Sequence, residues 1–205
     1  LPSLVVESPP NFNTGEKPVL TWHARNIEKV EIRLYRIEAE DFFLDSLEME
    51  RVTDVDIALC SPDRTWQVPV KNFEKHKRIT QDIPLKIKRP GLYLVHLSAG
   101  DLEATTAVRI SDLGLIIKIE AGGVFAFSQD VRRARPMAGT RLLIADGEKL
   151  LSTRKTGSDG ILQTRLDLGQ SSGDIRVLAI RGDHLAWTHL NHPLSQPATA
   201  GQPRA

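Results

Sequence analysis

The sequence is poor in the features that mark several common classes of protein. Cys60 is the only cysteine among 205 residues, so no internal disulfide can form and a disulfide-stapled secreted scaffold is excluded. The 27 basic and 26 acidic residues leave a net charge of +1, which gives no support to binding of nucleic acid or of a membrane surface. No apolar run approaches the roughly 20 residues that a transmembrane helix needs.

Motifs of catalysis are also missing. The sequence has no Walker loop, no GxGxxG, no GxSxG elbow and no HExxH. No nucleophile–base pair or set of metal ligands is readable, so we predict that the chain is not an enzyme and has no catalytic, cofactor-binding or metal-binding residues. No signal peptide is visible at Leu1, and the lack of a starting Met predicts an excised piece of a longer chain.

Short runs of Val, Ile, Leu and Thr, separated by turn signals, are abundant, and they are typical of antiparallel β-sandwiches. In "KVEIRLY", Val30, Ile32 and Leu34 alternate with Glu31 and Arg33, so one face of the strand meets a core and the other meets water. Such runs in the first half predict strands near Leu4–Glu7, Lys17–His23, Lys29–Ile37, Thr65–Val70, Ile79–Lys86, Gly91–Ser98 and Glu103–Ile110.

A second set of strands follows at once, hinged at Ser111–Asp112. Its first strand carries alternating apolar residues from Leu113 to Ile119, and further strands are predicted near Val124–Asp130, Thr140–Ala145, Lys149–Lys155, Ile161–Leu166, Ile175–Ile180 and His184–His189. We therefore predict an all-β chain of two tandem seven-stranded antiparallel sandwiches of immunoglobulin or fibronectin type, residues 1–110 and 111–191. The short junction predicts a restricted angle between them, since it cannot act as a random-coil spacer. Residues 192–205, rich in Pro, Ala and Gln, are predicted to be a linker or disordered tail.

One segment of the first half departs from the strand pattern. In "IEAEDFFLDSLEMERV", the spacing of Phe43 and Leu47 fits one side of a helix and predicts helical turns near Ala39–Leu47. We interpret Phe42 and Phe43 as a plug over a sandwich edge rather than a ligand site. The surplus of carboxylates is interpreted as a solvated face, made of Glu38, Glu40, Asp41, Asp45, Glu48 and Glu50.

Three groups of polar residues have ordinary structural interpretations. His184, His189 and His192 raise zinc or copper binding, but His184 and His189 are five apart and point to opposite faces of a strand. The "RGD" at Arg181–Asp183 fits a turn better than an adhesion site, and Cys60 is interpreted as a structural cysteine.

Two Asp-Gly pairs, Asp146–Gly147 and Asp159–Gly160, lie between apolar segments. They are interpreted as turns, because Gly adopts positive φ without steric cost and Asp tolerates it. A pair of catalytic carboxylates would have to face each other across a cleft, and nothing in the spacing supports that.

The order of the pieces resembles a known family. "VEIRLYRIEAEDFF", "RPGLYLVHLSAGDLEATTAVRISDLGLIIK", "RPMAGTRLLIADGEKLLSTRKTGSDGILQTRL" and "DIRVLAIRGDHLAWTHL" together resemble two consecutive N-terminal macroglobulin-like domains of bacterial alpha-2-macroglobulins. The resemblance covers about Val19 to Leu190. Its strongest parts are the Gly-x-Tyr-x-Val run, the Ser-Asp-Leu junction and the Pro-x-Ala-Gly…Asp-Gly frame.

This resemblance implies a scaffold fragment of a broad-spectrum protease inhibitor that encloses its target after a bait segment is cut. In many members an internal Cys–Gln thioester captures the protease, but "CSPDRT" follows Cys60 and Glu-Gln occurs nowhere. The resemblance implies a periplasmic or extracellular location, and in the family the parent is often anchored to a membrane by a lipid outside this segment. The implied partners are neighbouring domains of the parent chain, with target proteases bound only through the full-length protein and the fragment itself a monomer.

A second hypothesis is a generic extracellular adhesin or carbohydrate-binding sandwich. It would need exposed aromatic rings to stack on sugars, whereas aromatic residues make up 5% of the chain and Trp22, Trp66 and Trp187 lie in strand-like runs.

The fragment alone is predicted not to inhibit a protease. Its stretch "KNFEKHKR" is predicted to be solvated and mobile, hence a trypsin substrate at Lys75, Lys77 or Arg78.

Overall fold

The computed structural model describes residues 1–7, 11–120, 123–166 and 174–191. Strands precede and follow one α-helix in the first half: β1 Ser3–Glu7, β2 Asn11–Phe12, β3 Val19–Arg25, β4 Lys29–Ile37, α1 Ala39–Ser46, a 3-10 helix Val52–Asp54, β5 Arg64–Pro69, β6 Arg78–Pro84, β7 Gly91–Ala99 and β8 Leu102–Ile110. The second half has strands β9 Leu113–Glu120, β10 Gly123–Asp130, β11 Arg135–Pro136, β12 Arg141–Ala145, β13 Leu150–Lys155, β14 Ile161–Arg165, β15 Asp174–Arg181 and β16 His184–Asn191.

The strands form two sandwiches, each of two sheets. In the N-terminal sandwich, a sheet of order β1-β3-β6 faces a sheet of order β2-β8-β7-β4-β5. In the C-terminal sandwich, one sheet has β10 between β9 on one side and β11 and β14 on the other, and the second sheet has the order β13-β12-β15-β16. The described pairings are antiparallel except that β2 runs parallel to β8.

Alternation of apolar residues places one core inside each sandwich. On β4, Val30 and Ile32 are fully buried with Trp22 of the facing sheet. In the C-terminal sandwich, Val124 of β10 faces Ile175 of β15 across the second core. Period-two alternation is what a strand with one buried face requires, so the sequence pattern carries directly into these two cores.

The predicted fold class is confirmed: the chain is mostly β, with one short helix and antiparallel sheets that form sandwiches. Among the described residues, each sandwich has seven strands of five or more residues, as predicted, and one two-residue strand (β2 or β11) that the sequence did not indicate. The 3-10 helix at Val52–Asp54 was not predicted either. The tail at 192–205 lies outside the described residues.

Candidate functional site: the interface between the two sandwiches

Three strands are buried on both faces, which a free-standing sandwich does not require. The first seven residues of β7, from Gly91 to Leu97, are buried without a break, and so are Leu142 to Ala145 on β12. On β15, Leu178 is as buried as its neighbours Val177 and Ala179. Apolar runs without alternation are typical of strands covered on both sides, so something other than solvent lies against their outer faces.

Each sandwich supplies that cover for the other. Tyr35, Leu92 and Leu94 on the outer face of the N-terminal sandwich meet Leu143 and Leu178 on the outer face of the C-terminal sandwich. We call this cluster the shared core; its buried members are Tyr35, Ala39, Phe43, Met49, Val52, Leu92, Leu94, Leu143, Ala145, Leu178 and Leu185. A third core that joins two domains opposes their relative motion, because separating them would expose this apolar surface to water.

Residues 38–63, here called the capping segment, complete the shared core. Helix α1 runs from Ala39 to Ser46, and Leu47 caps its C-terminus with a left-handed backbone (φ 56°) and an N–H that donates to the Phe43 carbonyl at 2.7 Å. This geometry directs Phe43 inward, where its side chain is 1% exposed. The aromatic pair was interpreted as a plug over a sandwich edge, and the predicted location was wrong. Phe43 fills the space between two sandwiches, and Phe42 packs beside it.

Ion pairs surround the shared core. Glu40 of α1 contacts Arg141 of β12, and Glu48 lies 3.3 Å from Arg176 of β15. The interpretation of the carboxylates as a wholly solvated face was thus wrong for Glu40 and Glu48, whose charges are matched by arginines of the other sandwich. Sequence spacing could not reveal these partners, since they lie about a hundred residues away or more.

A further pair crosses the interface at the "RGD" tripeptide, Arg181–Asp183. The Asp183 carboxylate accepts a hydrogen bond from Nη2 of Arg36 at 2.8 Å. Burial lowers the pKa of Arg36. The hydrogen bond and the charge of Asp183 together raise the pKa by more than burial lowers it, so it lies above the ordinary arginine value. Gly182 has φ 59° in the tight turn between β15 and β16. The Asp of "RGD" therefore forms an ion pair across the interface in this structure.

The junction between the sandwiches, Ser111 and Asp112, is buried and forms hydrogen bonds with residues of both sandwiches. Ser111 Oγ accepts hydrogen bonds from the N–H of Leu113 at 3.0 Å and of Leu185 at 3.1 Å. Asp112 is 2% exposed, and its carboxylate accepts the N–H of Thr14 at 2.8 Å and also the Thr14 hydroxyl. These bonds connect the loop after β2, the junction and the start of β16, so the polypeptide between the sandwiches has little freedom to bend.

The three histidines whose closeness in the sequence raised metal binding can now be placed in part. His184 Nδ1 accepts the N–H of Asp112 at 3.0 Å, and His189 Nε2 contacts Asp174 on the neighbouring strand. His192 lies outside the described residues. Within the described ranges, no group of three His, Cys, Asp or Glu side chains is placed to hold a metal ion.

Cys60 is exposed, so its interpretation as a structural, packed cysteine was wrong. It lies in the part of the capping segment that follows the 3-10 helix, where its thiol is 3.8 Å from the Asp56 carbonyl. A loop that covers the outside of a sheet offers one face to solvent, and Cys60 is on that face.

Both Asp-Gly pairs are turns in the structure. Asp146 Oδ1 accepts the N–H of Lys149 at 2.9 Å, and Asp159 Oδ1 accepts the N–H of Ile161 at 2.9 Å. Gly160 has φ 74°, and a Cβ at this position would lie 2.5 Å from the Ser128 carbonyl oxygen. The turn therefore requires glycine both for its backbone conformation and for its close approach to β10.

The tryptophans are not free stacking platforms. Trp22 is 1% exposed in the N-terminal core, and the half-buried ring of Trp66 lies under Arg64, whose guanidinium carbon is 4.3 Å from the ring centre. Trp187 is half-buried beside the shared core. A sugar would have to displace an arginine from Trp66 to stack there, so the carbohydrate-binding hypothesis gains no support.

In the described part of the chain, no helix is long and apolar enough to span a bilayer.

The sequence carries a signal for the interface that the alternating strands do not show. The runs "YLVHL" on β7, "RLLIA" on β12 and "VLAI" on β15 lack the polar alternation of "KVEIRLY". Such runs indicate strands buried on both faces, and their presence in both halves would have pointed to contact between the two sandwiches.

Comparison with solved structures finds a similar fold, over most of this chain, in a bacterial protein. A crystal structure of native alpha-2-macroglobulin from Escherichia coli spanning domains NIE-MG1 superposes with a TM-score of 0.68 at 18% identity, over 91% of this chain and 96% of that one. A second structure of that protein, spanning MG0-NIE-MG1, gives a TM-score of 0.69 at 16% identity, over 91% of this chain and 63% of that one. No family model matches the sequence. The chain thus has the fold of these N-terminal alpha-2-macroglobulin domains.

Proposed function

We propose that this chain is a non-catalytic scaffold segment of a bacterial alpha-2-macroglobulin-type, broad-spectrum protease inhibitor. The observation that carries the proposal is the match of both sandwiches, in their mutual arrangement, to 96% of the E. coli NIE-MG1 structure. A shared sandwich fold alone occurs with many functions. A shared arrangement of two sandwiches is more specific, because it depends on the interface as well as on each fold.

The interface supports a mechanical role. A trap must hold its domains in a fixed shape until the bait is cut, so its scaffold needs junctions that do not bend freely. The shared core, with Phe43 at its centre, and the buried junction at Ser111 and Asp112 supply such a joint. The segment contributes rigidity and surfaces for neighbouring domains, and no residue of it takes part in chemistry.

The segment belongs to a longer chain in this proposal, with domains at 1–110 and 111–191 and a linker at 192–205. The coverage of the E. coli structures supports this: the chain matches nearly all of the two-domain structure but only 63% of the one with MG0 in front. Its partners are then the neighbouring domains, and it meets proteases only through the complete protein. We place that protein in the periplasm or outside the cell, where a protease inhibitor meets foreign proteases.

The test compares the chain with the complete gene product. Each is mixed with trypsin, elastase and subtilisin, and hydrolysis of a protein substrate and of a small chromogenic substrate is followed in parallel. We expect the complete product to protect the protein substrate while the small substrate is still cleaved, because an enclosed protease keeps its active site. The chain alone is expected to change neither rate. A complete product that protects nothing, or a chain that blocks cleavage of the small substrate, contradicts the proposal.

A further inference from the structure

The N-terminal sandwich has an open cleft of about 1320 Å³ at the end remote from the shared core. On β4 and β7, the pairs Tyr35–Leu94 and Ile37–Leu92 belong to the covered end, whereas Glu31 and Ser98 line the cleft at the other end. Three connections surround it, those between β3 and β4, between β5 and β6, and between β7 and β8. The cleft is therefore separate from the interface described above.

A hydrogen bond between two connections fixes one wall of the cleft: the N–H of His76 donates to Oδ1 of Asn26 at 2.6 Å. Outside the cleft, the β5–β6 connection is also tied to β6, where the N–H of Lys71 donates to Oε1 of Gln81 at 3.0 Å. Asn26 and His76 both have left-handed backbones, with φ 56° and 68°. Non-glycine residues take this conformation at a cost, so the surrounding contacts define one shape for these loops. Both hydrogen bonds are donated by backbone N–H groups of the stretch "KNFEKHKR", whose mobility stays a prediction.

The lining has the composition of an interface between domains. Ile27 is 7% exposed and packs in the core, and Phe73 and Leu102 are half-buried beside it. Exposed charges of both signs, among them Lys29 and Asp101, stand around these apolar groups. An apolar centre with a polar rim is the usual anatomy of a protein–protein interface, and contacts between domains of one chain are the more polar kind.

The start of the chain lies at the same place. Pro2 lines the cleft, and β1 begins at the next residue, Ser3. Any domain joined to Leu1 by a short connection is held next to the cleft at an effective concentration in the millimolar range, so even a weak contact is occupied.

We propose that this cleft is the docking surface for the domain that precedes Leu1 in the complete protein. This docking proposal rests on the proposed function, in which the chain is part of a longer protein. It identifies the surface that receives the preceding domain. The N-terminal sandwich is then fixed against both of its neighbours. The shared core fixes the C-terminal sandwich against it, and the cleft fixes the preceding domain.

The test measures how fast a thiol reagent reaches the cleft. Asp101→Cys and Lys75→Cys are made separately in a Cys60→Ser background, because the native thiol is exposed. Thr153→Cys, on the exposed edge strand β13 of the C-terminal sandwich, is the matched control. Each variant is prepared as this chain and as the chain extended only by the preceding gene-encoded domain, and a maleimide label is added under native conditions.

We expect the two cleft thiols to react about tenfold more slowly in the extended protein, the factor for a surface covered about 90% of the time, and the control thiol to react equally in both. Equal rates at the cleft overturn the proposal, as does a gene that encodes no preceding domain. Protection in the unextended chain that rises with protein concentration also overturns it, because the occupant would be a second copy. Labelling needs no protease, so a failure here is distinct from a failure of the inhibition assay.

Discussion

The guanidinium carbon of Arg109 on β8 lies 4.7 Å from the centre of the Trp187 ring on β16. The two residues belong to the last strands of different sandwiches, so this cation–π contact joins them across the interface. Burial lowers the pKa of Arg109, which means that the charge is held away from water beside the ring. We expect Trp187→Leu, which keeps an apolar side chain and removes the ring face, to lower the free energy of unfolding by about 1 kcal/mol.

The control for this variant is Trp66→Leu, which removes the ring under Arg64 inside one sandwich. Urea titration measures both variants. If the contact joins the sandwiches, only Trp187→Leu separates the unfolding of the two halves into distinguishable steps. A single unchanged transition for Trp187→Leu would show that the contact adds nothing to the coupling.

Loss of the side chain at the centre of the shared core has the largest expected effect on stability. Phe43 is 1% exposed, and truncation of a buried Phe to Ala costs roughly 3–5 kcal/mol. Phe125, on the solvent side of β10, is 38% exposed, so Phe125→Ala is the matched control with a much smaller loss. Equal losses for the two variants, measured by urea unfolding, would mean that the capping segment does not hold a core together.

The ion pair of Glu48 and Arg176 is expected to contribute measurably because it is largely shielded from solvent, with side chains 18% and 20% exposed. A double-mutant cycle with Glu48→Gln and Arg176→Gln should give a coupling of about 0.5–1 kcal/mol that decreases with added salt. The exposed pair of Glu74 and Lys77, 3.1 Å apart with both side chains 61% exposed, should give no measurable coupling in the same cycle. The prediction fails if the two cycles agree.

Buried His96 predicts a pH dependence of stability. It is 6% exposed, with Nδ1 3.0 Å from the Thr105 hydroxyl. Burial lowers its pKa below 6.5, while nearby Glu103 raises and Arg33 lowers it by smaller amounts. The unfolded state therefore binds more protons between the two pKa values, so stability is complete above the unfolded pKa and is lost as pH falls from about 6.5 toward the folded pKa.

The measurement is the free energy of unfolding between about pH 8 and pH 5, the interval in which histidine titrates. His96→Asn should flatten the curve in this interval, whereas His76→Asn, at an exposed turn residue, should leave it unchanged. An unaltered slope in His96→Asn would assign the pH dependence to other groups.

Trypsin provides a test of the loop between β5 and β6. Lys75 and Lys77 are exposed and are expected to be the first sites cut among the described residues. Asn26→Gly keeps the left-handed backbone but removes the acceptor for the His76 N–H. Loss of one hydrogen bond, about 1 kcal/mol, should raise the cleavage rate about fivefold. Mass spectrometry of the first fragments identifies the site, and equal rates for parent and variant would show that the bond does not restrain the loop.

The strands could be predicted because each depends on local alternation, as in Val30, Ile32 and Leu34, and the turns because Asp159–Gly160 has few conformational alternatives. The interface could not be located in the same way. Glu48 and Arg176 are separated by more than a hundred residues, and single-residue patterns do not say which distant charge a carboxylate meets. Phe43 was recognised as packed, but the surface that covers it belongs to the other sandwich.

The shared core makes the two sandwiches one rigid unit, and a distribution of distances between them tests this rigidity most directly. Spin labels are placed at Asp101→Cys and Thr153→Cys, one on each sandwich, in the Cys60→Ser background. A control pair at Asp82→Cys and Asp101→Cys lies within the N-terminal sandwich, at exposed positions of β6 and of the turn before β8. Double electron–electron resonance should give a single distance for the first pair, with a distribution as narrow as that of the control. A distribution several times broader than the control, or two resolved distances, would contradict the account.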